Sequence, residues 1–467
     1  MKINYDTILR NAHVVDPKNR VDDTCDIGII KGSIVDIGGS VSGGAKEEID
    51  LEGYFVVPGI IDMHVHVSSW LGGRFGHRML AIAGVTTGLD MAGPIGGVIN
   101  IAREYGAGLN IACINYIRPG HTVQTVDPSR SELRDLMSKS LHSGAIGLKL
   151  LGGHFPLTPE ATARAIEVAA DEGAYIACHA GTLATGSHIE GMREACDLAA
   201  GQPLHLAHIN SYTRGLIHSA MSEGEDALFL LQKHDNITSE SYLSPINATS
   251  AKCSDGMPES MQTRTWLKIG GFAATESGLA EAIEAGWALL NEEKDNTVVL
   301  SSGRAAVDAW RARGSNLGVS FMANPSEPRL RLATAKSNAG HFIIDALATD
   351  GGGIPRNVIV KMGLALVNLE AWTLHEFVEK SSAAPARALG LYSKGHLGIG
   401  ADADITVLDL ERGYPKMSFV AGELIMRDGI VLGCGTRLIT THLGAECARA
   451  ASIPGPVVEL GSMLHRG

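Results

Sequence analysis

The sequence predicts an α/β protein in which a (β/α)8 TIM barrel carries a small composite β-sandwich domain built from both chain ends. Three observations support this prediction. Eight apolar runs alternate with helical stretches between residues 60 and 348, which is typical of a closed parallel barrel. Strand-like segments without a helix of useful length occupy both chain ends. The 467 residues exceed one ordinary domain but suit a barrel with a satellite.

Four strand-like segments separated by turn signals lie within residues 1–54. They are 5–9, 12–15, 25–30 and 33–37. Similar strand-like segments occur at 403–409 and 418–425, close to the other chain end. Neither piece could cover its own apolar face alone. We therefore expect residues 1–54 and 384–467 to form the two parts of the β-sandwich, the second with a C-terminal tail.

Residues 55–383 are expected to form the barrel. Its apolar runs are 60–66, 84–91, 109–117, 145–151, 174–180, 203–209, 237–243 and 343–348. A helix is predicted over 159–172, because Thr158 suits the N-cap and Gly173 suits the end. A capping box at Thr373 predicts the helix that follows the eighth strand.

The identity of the seventh strand is open. About 100 residues (244–342) follow the run 237–243, far more than the usual 2–6 residues of a barrel loop. We expect an insertion with helices of its own, such as 277–290. The apolar run 296–300 within this insertion is a second candidate for the seventh strand.

Composition restricts the function classes. The formal net charge is −12 and basic runs are missing, so the chain is poorly suited to bind nucleic-acid phosphates. No apolar stretch approaches the roughly 18 residues needed to cross a bilayer, and the first residues lack a secretion core. Seven cysteines without a C-x-x-C pair fit a reducing cytoplasm. We expect a cytoplasmic homo-oligomer that acts on a small molecule, without nucleic-acid or membrane partners.

The first barrel strand ends in two histidines, His64 and His66. Residues two apart on a strand point to the same face, and the C-terminal end of a barrel strand faces the active site. An isolated H-x-H pair is equally compatible with ordinary side chains and with two metal ligands, since imidazole binds Zn, Ni, Co and Fe. Other strand ends therefore decide between these interpretations.

Four further polar groups of metal-binding type follow apolar runs. They are Lys149, His179, His208 and Asp350. An unpaired ammonium in an apolar strand such as that of Lys149 is costly to bury. Convergence of these groups at one barrel mouth indicates a metal centre. Cationic residues that could bind a substrate carboxylate are Arg118, Arg214 and Arg304, although each alone is more often part of a surface ion pair.

Several motifs resemble the amidohydrolase superfamily over nearly the whole chain. Residues 58–66 resemble its first-strand signature, 384–387 its last barrel helix and 395–405 its return to the satellite domain. Residues 144–183 are similar to the urease catalytic chain. The ligand pattern is that of dihydroorotases, hydantoinases and ureases. Leu150 and its neighbour stand where urease has a further histidine, so urea is not the expected substrate.

The resemblance implies two divalent metal ions, with zinc as first choice and Ni, Mn, Co or Fe as alternatives. It assigns the first-strand histidine pair and Asp350 to the more buried ion, His179 and His208 to the other, and Lys149, carboxylated by CO2, to both. A hydroxide bridging the metals would attack the scissile carbonyl. Asp350 would carry the proton to the leaving nitrogen, with His154 as a second catalytic candidate in the mouth loop.

The resemblance leaves three functions to distinguish. The first is hydrolysis of a C–N bond in a small cyclic amide, imide or ureide. The second is N-acyl-D-amino acid deacylation, whose family shares the sandwich and an insertion before the eighth strand but generally bridges its metals differently. The third is a non-catalytic assembly protein, against which the complete ligand set argues. The segments that directly follow His66, Lys149, His179 and Asp350 contain glycines, hydroxyl side chains and Trp70 but no arginine. We therefore expect the substrate to be a small neutral ring.

Overall fold

The computed structural model describes residues 4–68 and 73–466. Its central sheet is parallel and confirms the predicted α/β barrel class. In chain order the barrel strands are Ile60–His66, Val85–Asp90, Ala107–Ile117, Gly147–Leu151, Tyr175–His179, Leu204–Leu206 and Ile237–Ser241, followed by an eighth strand in two pieces, Ala346–Leu347 and Gly351–Gly352. Each of the eight predicted apolar runs overlaps one of these strands, although the third strand begins two residues before its run and the second piece of the eighth lies beyond 348.

The divided eighth strand closes the barrel. Its first piece pairs with the seventh strand, Glu240 lying opposite Ala346. Its second piece pairs with the first strand, Gly351 lying opposite Val65. Asp350 lies between the two pieces and therefore at the seam where the first and eighth strands meet.

Strand pairing also identifies the seventh strand. Ile237–Ser241 pairs in parallel with Leu204–Leu206 on one side and with Ala346–Leu347 on the other. The second candidate, around 296–300, is wrong, because Thr297–Ser301 pairs antiparallel with Ala288–Lys294 outside the barrel.

The segment 244–342 contains its own small sheet and helices. Its strands are Asn247–Ser250, Cys253–Ser254, Met257–Pro258, Ala288–Lys294, Thr297–Ser301 and Gly318–Phe321, and its helices are Met261–Ile269, Glu276–Glu284, Arg304–Ala312 and Ser326–Thr334. The helix expected over 277–290 ends earlier, because Gly286 adopts a left-handed φ of 77° and a strand follows. We call this segment the insert.

Helices lie between the barrel strands. They are Gly76–Ile82, Ile95–Tyr105, Arg130–His142, Pro159–Asp171, Ile189–Ala199 and Ala220–Lys233, with Ile359–Asn368, Leu374–Val378 and Ala384–Ala388 after the eighth strand. The predicted N-cap is confirmed, since the Thr158 side chain accepts a hydrogen bond from the Ala161 N–H. The capping box at Thr373 is confirmed as well.

A second sheet joins the two chain ends. Its nine strands are Asn4–Asp16, Val21–Ile30, Ser33–Gly38, Gly44–Asp50, Phe55–Pro58, Ile405–Asp409, Tyr414–Val420, Glu423–Arg427 and Ile430–Val431. The two halves meet where Phe55–Pro58 pairs antiparallel with Ile405–Asp409. The expected segments 5–9 and 12–15 form one strand, interrupted by a bulge near Asn11, whose φ is 55°. This sheet confirms the satellite built from both ends.

The last part of the chain returns to the barrel. Gly435–Thr441 pairs in parallel with the third barrel strand and with Pro454–Val458, and the helix Ala445–Ala450 connects the two. The limits 1–54, 55–383 and 384–467 stay a prediction. Among the described residues, no helix is long and apolar enough to span a bilayer.

Candidate metal centre

Three of the predicted ligands lie together at the seam of the barrel. His66 Nε2 is 2.9 Å from Asp350 Oδ1, and His64 Nε2 is 3.4 Å from the same oxygen. One ligand atom from each residue lies within 4.8 Å of those of the other two. All three side chains are largely or fully buried. A carboxylate and two imidazoles at this spacing form a donor set suited to a divalent transition metal.

The two other predicted histidines adjoin this group. The rings of His179 and His208 are 4.4 Å apart between centroids, and the His208 ring stacks on His64 at 5.0 Å. Burial holds the pKa of both imidazoles well below the usual value, so both are neutral at physiological pH. Neutral imidazole is the form that binds a metal, and His208 Nδ1 has no partner within the described residues.

Lys149 lies in the fourth barrel strand and is 2% exposed. Its Nζ has no hydrogen-bond partner among the described residues. Burial lowers its pKa to about 8, against the opposing charges of Glu240 and Asp350. Burying an amine without a hydrogen-bond partner costs free energy of folding unless another group binds to it. The lowered pKa increases the neutral fraction of the amine, which is the form able to add CO2, so the residue fits a carboxylated bridging ligand.

Two of these residues have left-handed backbone conformations. The φ angle is 37° at His208 and 52° at Asp350. Non-glycine residues adopt such values at a cost and concentrate them at functional sites. His208 lies just beyond the end of the sixth strand, and Asp350 lies between the two pieces of the eighth.

His205 is a further buried histidine close to these residues. His205 lies within the sixth barrel strand and is fully buried. Its Nε2 lies 3.9 Å from Glu240 Oε1, the same oxygen that contacts His64.

Glu240, in the seventh strand, is a functional residue that the sequence reasoning missed. It is fully buried, and its Oε1 lies 2.7 Å from His64 Nδ1. Its Oε2 accepts a hydrogen bond of 2.6 Å from the His208 backbone N–H. A carboxylate at Nδ1 selects the tautomer whose Nε2 is free to bind a metal. The signal was present, because a glutamate in an apolar run resembles the lysine in the fourth strand.

Replacing Glu240 by glutamine should weaken metal binding by about 10- to 100-fold. An amide cannot accept hydrogen bonds from both His64 and the His208 backbone in the same geometry. Competition with a chromophoric chelator measures the affinity. Glu225→Gln is the matched control, because Glu225 is half exposed and pairs with Arg331 on the surface. Equal zinc affinity in both variants would contradict the role of Glu240.

Asp62 links the first strand to the eighth. Its carboxylate accepts hydrogen bonds from the backbone N–H and the hydroxyl of Thr349, and from the His64 N–H at 3.2 Å. Burial raises its pKa to about 7. Because Thr349 directly precedes Asp350, these hydrogen bonds help to hold the Asp350 carboxylate beside the histidine pair.

The loop after the fourth strand approaches the centre closely. His154 is exposed there, and its ring centroid is 5.4 Å from that of His179. A Cβ at Gly153 would lie 2.1 Å from His179 Nε2, so only glycine fits at that position. The catalytic role of His154 stays a prediction.

An arginine that was not singled out in the sequence, Arg356, lies at the mouth. Arg356 Nη1 is 3.4 Å from Asp350 Oδ2. Burial raises the pKa of Asp350, but Arg356 and the two first-strand histidines outweigh it and hold that pKa well below the usual value. Asp350 is therefore ionised at physiological pH. Trp70, expected to line the mouth, falls outside the described residues.

The arginines singled out in the sequence have different surroundings. Arg304 is exposed and pairs with Glu284 and Asp308. Arg118 lies over the Phe155 ring at 4.2 Å. Arg214 is half-buried and is considered below.

Comparison with known proteins places these observations in context. Residues 55–434 match the model of the Amidohydrolase family. A dihydroorotase of Methanothermobacter thermautotrophicus is 25% identical over 465 residues, covering 90% of this chain and 95% of that protein. An allantoinase of Rubrobacter xylanophilus is 39% identical over 92 residues, which is 19% of this chain and 20% of that protein.

Two solved structures share the fold. The N-acyl-D-glutamate deacylase of Bordetella bronchiseptica, complexed with zinc and a phosphonate inhibitor, has a TM-score of 0.67 at 16% identity, over 93% of this chain and 99% of that chain. The dihydropyrimidinase of Brevibacillus agri has a TM-score of 0.60 at 16% identity, over 92% of this chain and 96% of that chain. At these identities the likeness concerns the fold.

Proposed function

The chain belongs to the amidohydrolase family, and from this premise we propose that it hydrolyses a C–N bond in a small cyclic amide, imide or ureide with the help of two divalent metal ions. The observation that carries the proposal is the buried Lys149, whose Nζ has no hydrogen-bond partner among the described residues, beside four histidines and Asp350. A buried amine of this kind suits a carboxylated bridge. The relative aligned over 90% of the chain is a dihydroorotase, which supports a cyclic substrate.

The ligand assignment is the one that the family resemblance implies, and the grouping of His64, His66 and Asp350 supports its first half. His64, His66 and Asp350 would hold one ion, and His179 with His208 the other, while carboxylated Lys149 would contact both. Zinc is the first choice, and Ni, Mn, Co or Fe are alternatives. When bound, a pair of divalent ions supplies an activated water at neutral pH and a Lewis acid for the scissile carbonyl.

Proton transfer would be carried out by side chains of the protein. Asp350 is ionised and held at the seam, so it can accept a proton and return it to the leaving nitrogen. Glu240 holds the His64 ring in one tautomer, and Asp62 holds the strand that carries Asp350. These contacts preorganise the centre before substrate binds.

Deacylation of N-acyl-D-amino acids is the second candidate. It is favoured by Arg356 and Arg214, since a free carboxylate requires a fixed cation. An assembly role without catalysis is not favoured, because the complete ligand set would then have no use. A homo-oligomeric state and a cytoplasmic location stay predictions.

A substrate panel tests the proposal. We expect metal-loaded protein to hydrolyse hydantoins or dihydropyrimidines with a higher kcat/KM than any N-acyl-D-amino acid, because a ring holds its amide cis and compact. Elemental analysis of the same preparation should find two divalent ions per chain. A clear preference for acyl amino acids would overturn the substrate class and leave the metal centre in place. One ion or none with activity intact would contradict the two-metal proposal.

A further inference from the structure

A cleft of about 680 Å³ lies beside the segment that follows the eighth strand. Its walls come from the helix Gly76–Ile82, the helix Ile359–Asn368 and the satellite turn 412–415. This volume is within the range of small-molecule sites. None of the proposed metal ligands, all of which the structure describes, lines the cleft, so it is a separate feature of the molecule.

Neighbouring residues of one segment contribute to the cleft and to the metal centre. The Arg356 side chain is 1% exposed and contacts Asp350. Pro355 and Asn357, on either side of it, line the cleft instead. The segment 355–357 is therefore shared between the cleft and the centre.

The Asn357 side chain connects the cleft to the eighth strand. Its Oδ1 accepts a hydrogen bond of 2.6 Å from the Gly352 N–H, and its Nδ2 donates to the Gly352 carbonyl at 2.8 Å. Gly352 pairs with His66 in the sheet, and a Cβ at Gly352 would lie 2.3 Å from the His66 carbonyl oxygen. A displacement of Asn357 would therefore move the backbone that packs against a proposed metal ligand.

The lining of the cleft combines apolar surface with positive charge. Met79 and Ile82 are among its apolar residues, and Lys361 and Arg412 are its cations. No carboxylate of the described residues lines it. Lys361 has no ion-pair partner within the described chain, and Arg412 Nε is 3.9 Å from Asp409 Oδ2, at the limit of an ion pair. Such a lining suits an anion that has an apolar body.

We propose that this cleft binds a small organic anion, an apolar ring or chain with one acidic group, and that its occupation is coupled to the metal centre through Asn357. The acidic group would contact Lys361 and Arg412, and the apolar part would cover Met79 and Ile82. An amide nitrogen has two N–H groups, so Asn357 can bond the ligand while it holds Gly352. Binding at this site does not depend on which substrate the centre hydrolyses.

Calorimetry with 2-naphthoate and its neutral amide, 2-naphthamide, tests the site. We expect the acid to bind about tenfold more tightly than the amide, since two exposed cations contribute about threefold each. Lys361→Met and Arg412→Met should therefore each weaken naphthoate binding by about threefold. Lys139→Met, which alters an exposed lysine of the helix Arg130–His142, should leave it unchanged. Equal binding of acid and amide, or no binding, would overturn the proposal.

Filling the cleft provides a second test. Ala365 lines the cleft and is exposed, so Ala365→Trp should block naphthoate binding without disturbing the barrel core. Ala365→Ser leaves the cleft open and is the matched control. If naphthoate binds Ala365→Trp as it binds the unmodified protein, it occupies another place, such as the barrel mouth, and the cleft is not its site.

Zinc affinity, measured by competition with a chromophoric chelator, tests the coupling. A ligand bonded to Asn357 would fix the segment that holds Gly352 against His66. We therefore expect saturating naphthoate to raise zinc affinity by at least about fivefold, the lower end of ordinary coupling between sites. The same naphthoate concentration should have no effect on Ala365→Trp, and Asn357→Ala should bind naphthoate without the gain in zinc affinity. Unchanged zinc affinity in the unmodified protein would overturn the coupling.

Discussion

Lys149→Ala should release at least one of the two metal ions and abolish turnover. The amine lies buried beside Glu240 and Asp350 without a hydrogen bond among the described residues, and in the proposed centre its carboxylated form would contact both ions. Affinity for one ion should fall by at least about two orders of magnitude, since loss of a supporting contact alone costs 10- to 100-fold. Elemental analysis after dialysis gives the count.

Two controls make this result specific. Lys380→Met replaces another fully buried lysine, whose pKa is lowered by burial to about 7, but whose Nζ donates to the Ile344 carbonyl. It should alter thermal stability and leave the metal count unchanged. A short carboxylic acid supplied with metal should partly restore Lys149→Ala. Two tightly bound ions in Lys149→Ala would exclude the carboxylated bridge.

Asp350→Asn should retain the fold and most of the metal but lose at least about two orders of magnitude in kcat, the usual scale for a positioned acid or base. The amide keeps one oxygen for coordination but cannot accept and return the proton. Steady-state kinetics with parallel metal analysis measures the effect.

The matched control for that variant lies on the same segment. Asp345 accepts hydrogen bonds from Ser239 and Arg466 away from the centre, so Asp345→Asn should change stability rather than kcat. Near-normal turnover in Asp350→Asn would mean that another group moves the proton. His154→Ala would then be the next variant.

The barrel could be predicted because its strands are recognisable locally. Apolar runs of five to ten residues alternate with capped helices, and the helix after Thr158 begins where its cap indicates. The candidate ligands were recognisable for the same reason, because a polar residue is unusual within an apolar strand. Lys149 was found in this way. Glu240 carries the same signal in the seventh strand and was overlooked.

Other features depend on contacts between distant parts of the chain. Whether 237–241 or 297–301 is the seventh strand was decided by hydrogen bonding to Leu204–Leu206 and Ala346–Leu347, since both segments are strand-like in the sequence. The left-handed backbone angle at His208 is likewise a feature that strand alternation does not predict.

By itself, the sequence determined the barrel class, the satellite made from both ends and the types of metal ligand, because hydrophobic periodicity and a polar residue within an apolar strand are local properties. Only the tertiary structure decided the charge beside the centre. Arg356 and Arg214 are 142 positions apart in the sequence, but both contact Tyr242, and each is hydrogen-bonded to an asparagine of the insert. Their proximity is produced by the packing of the insert on the barrel, and no local pattern encodes that contact.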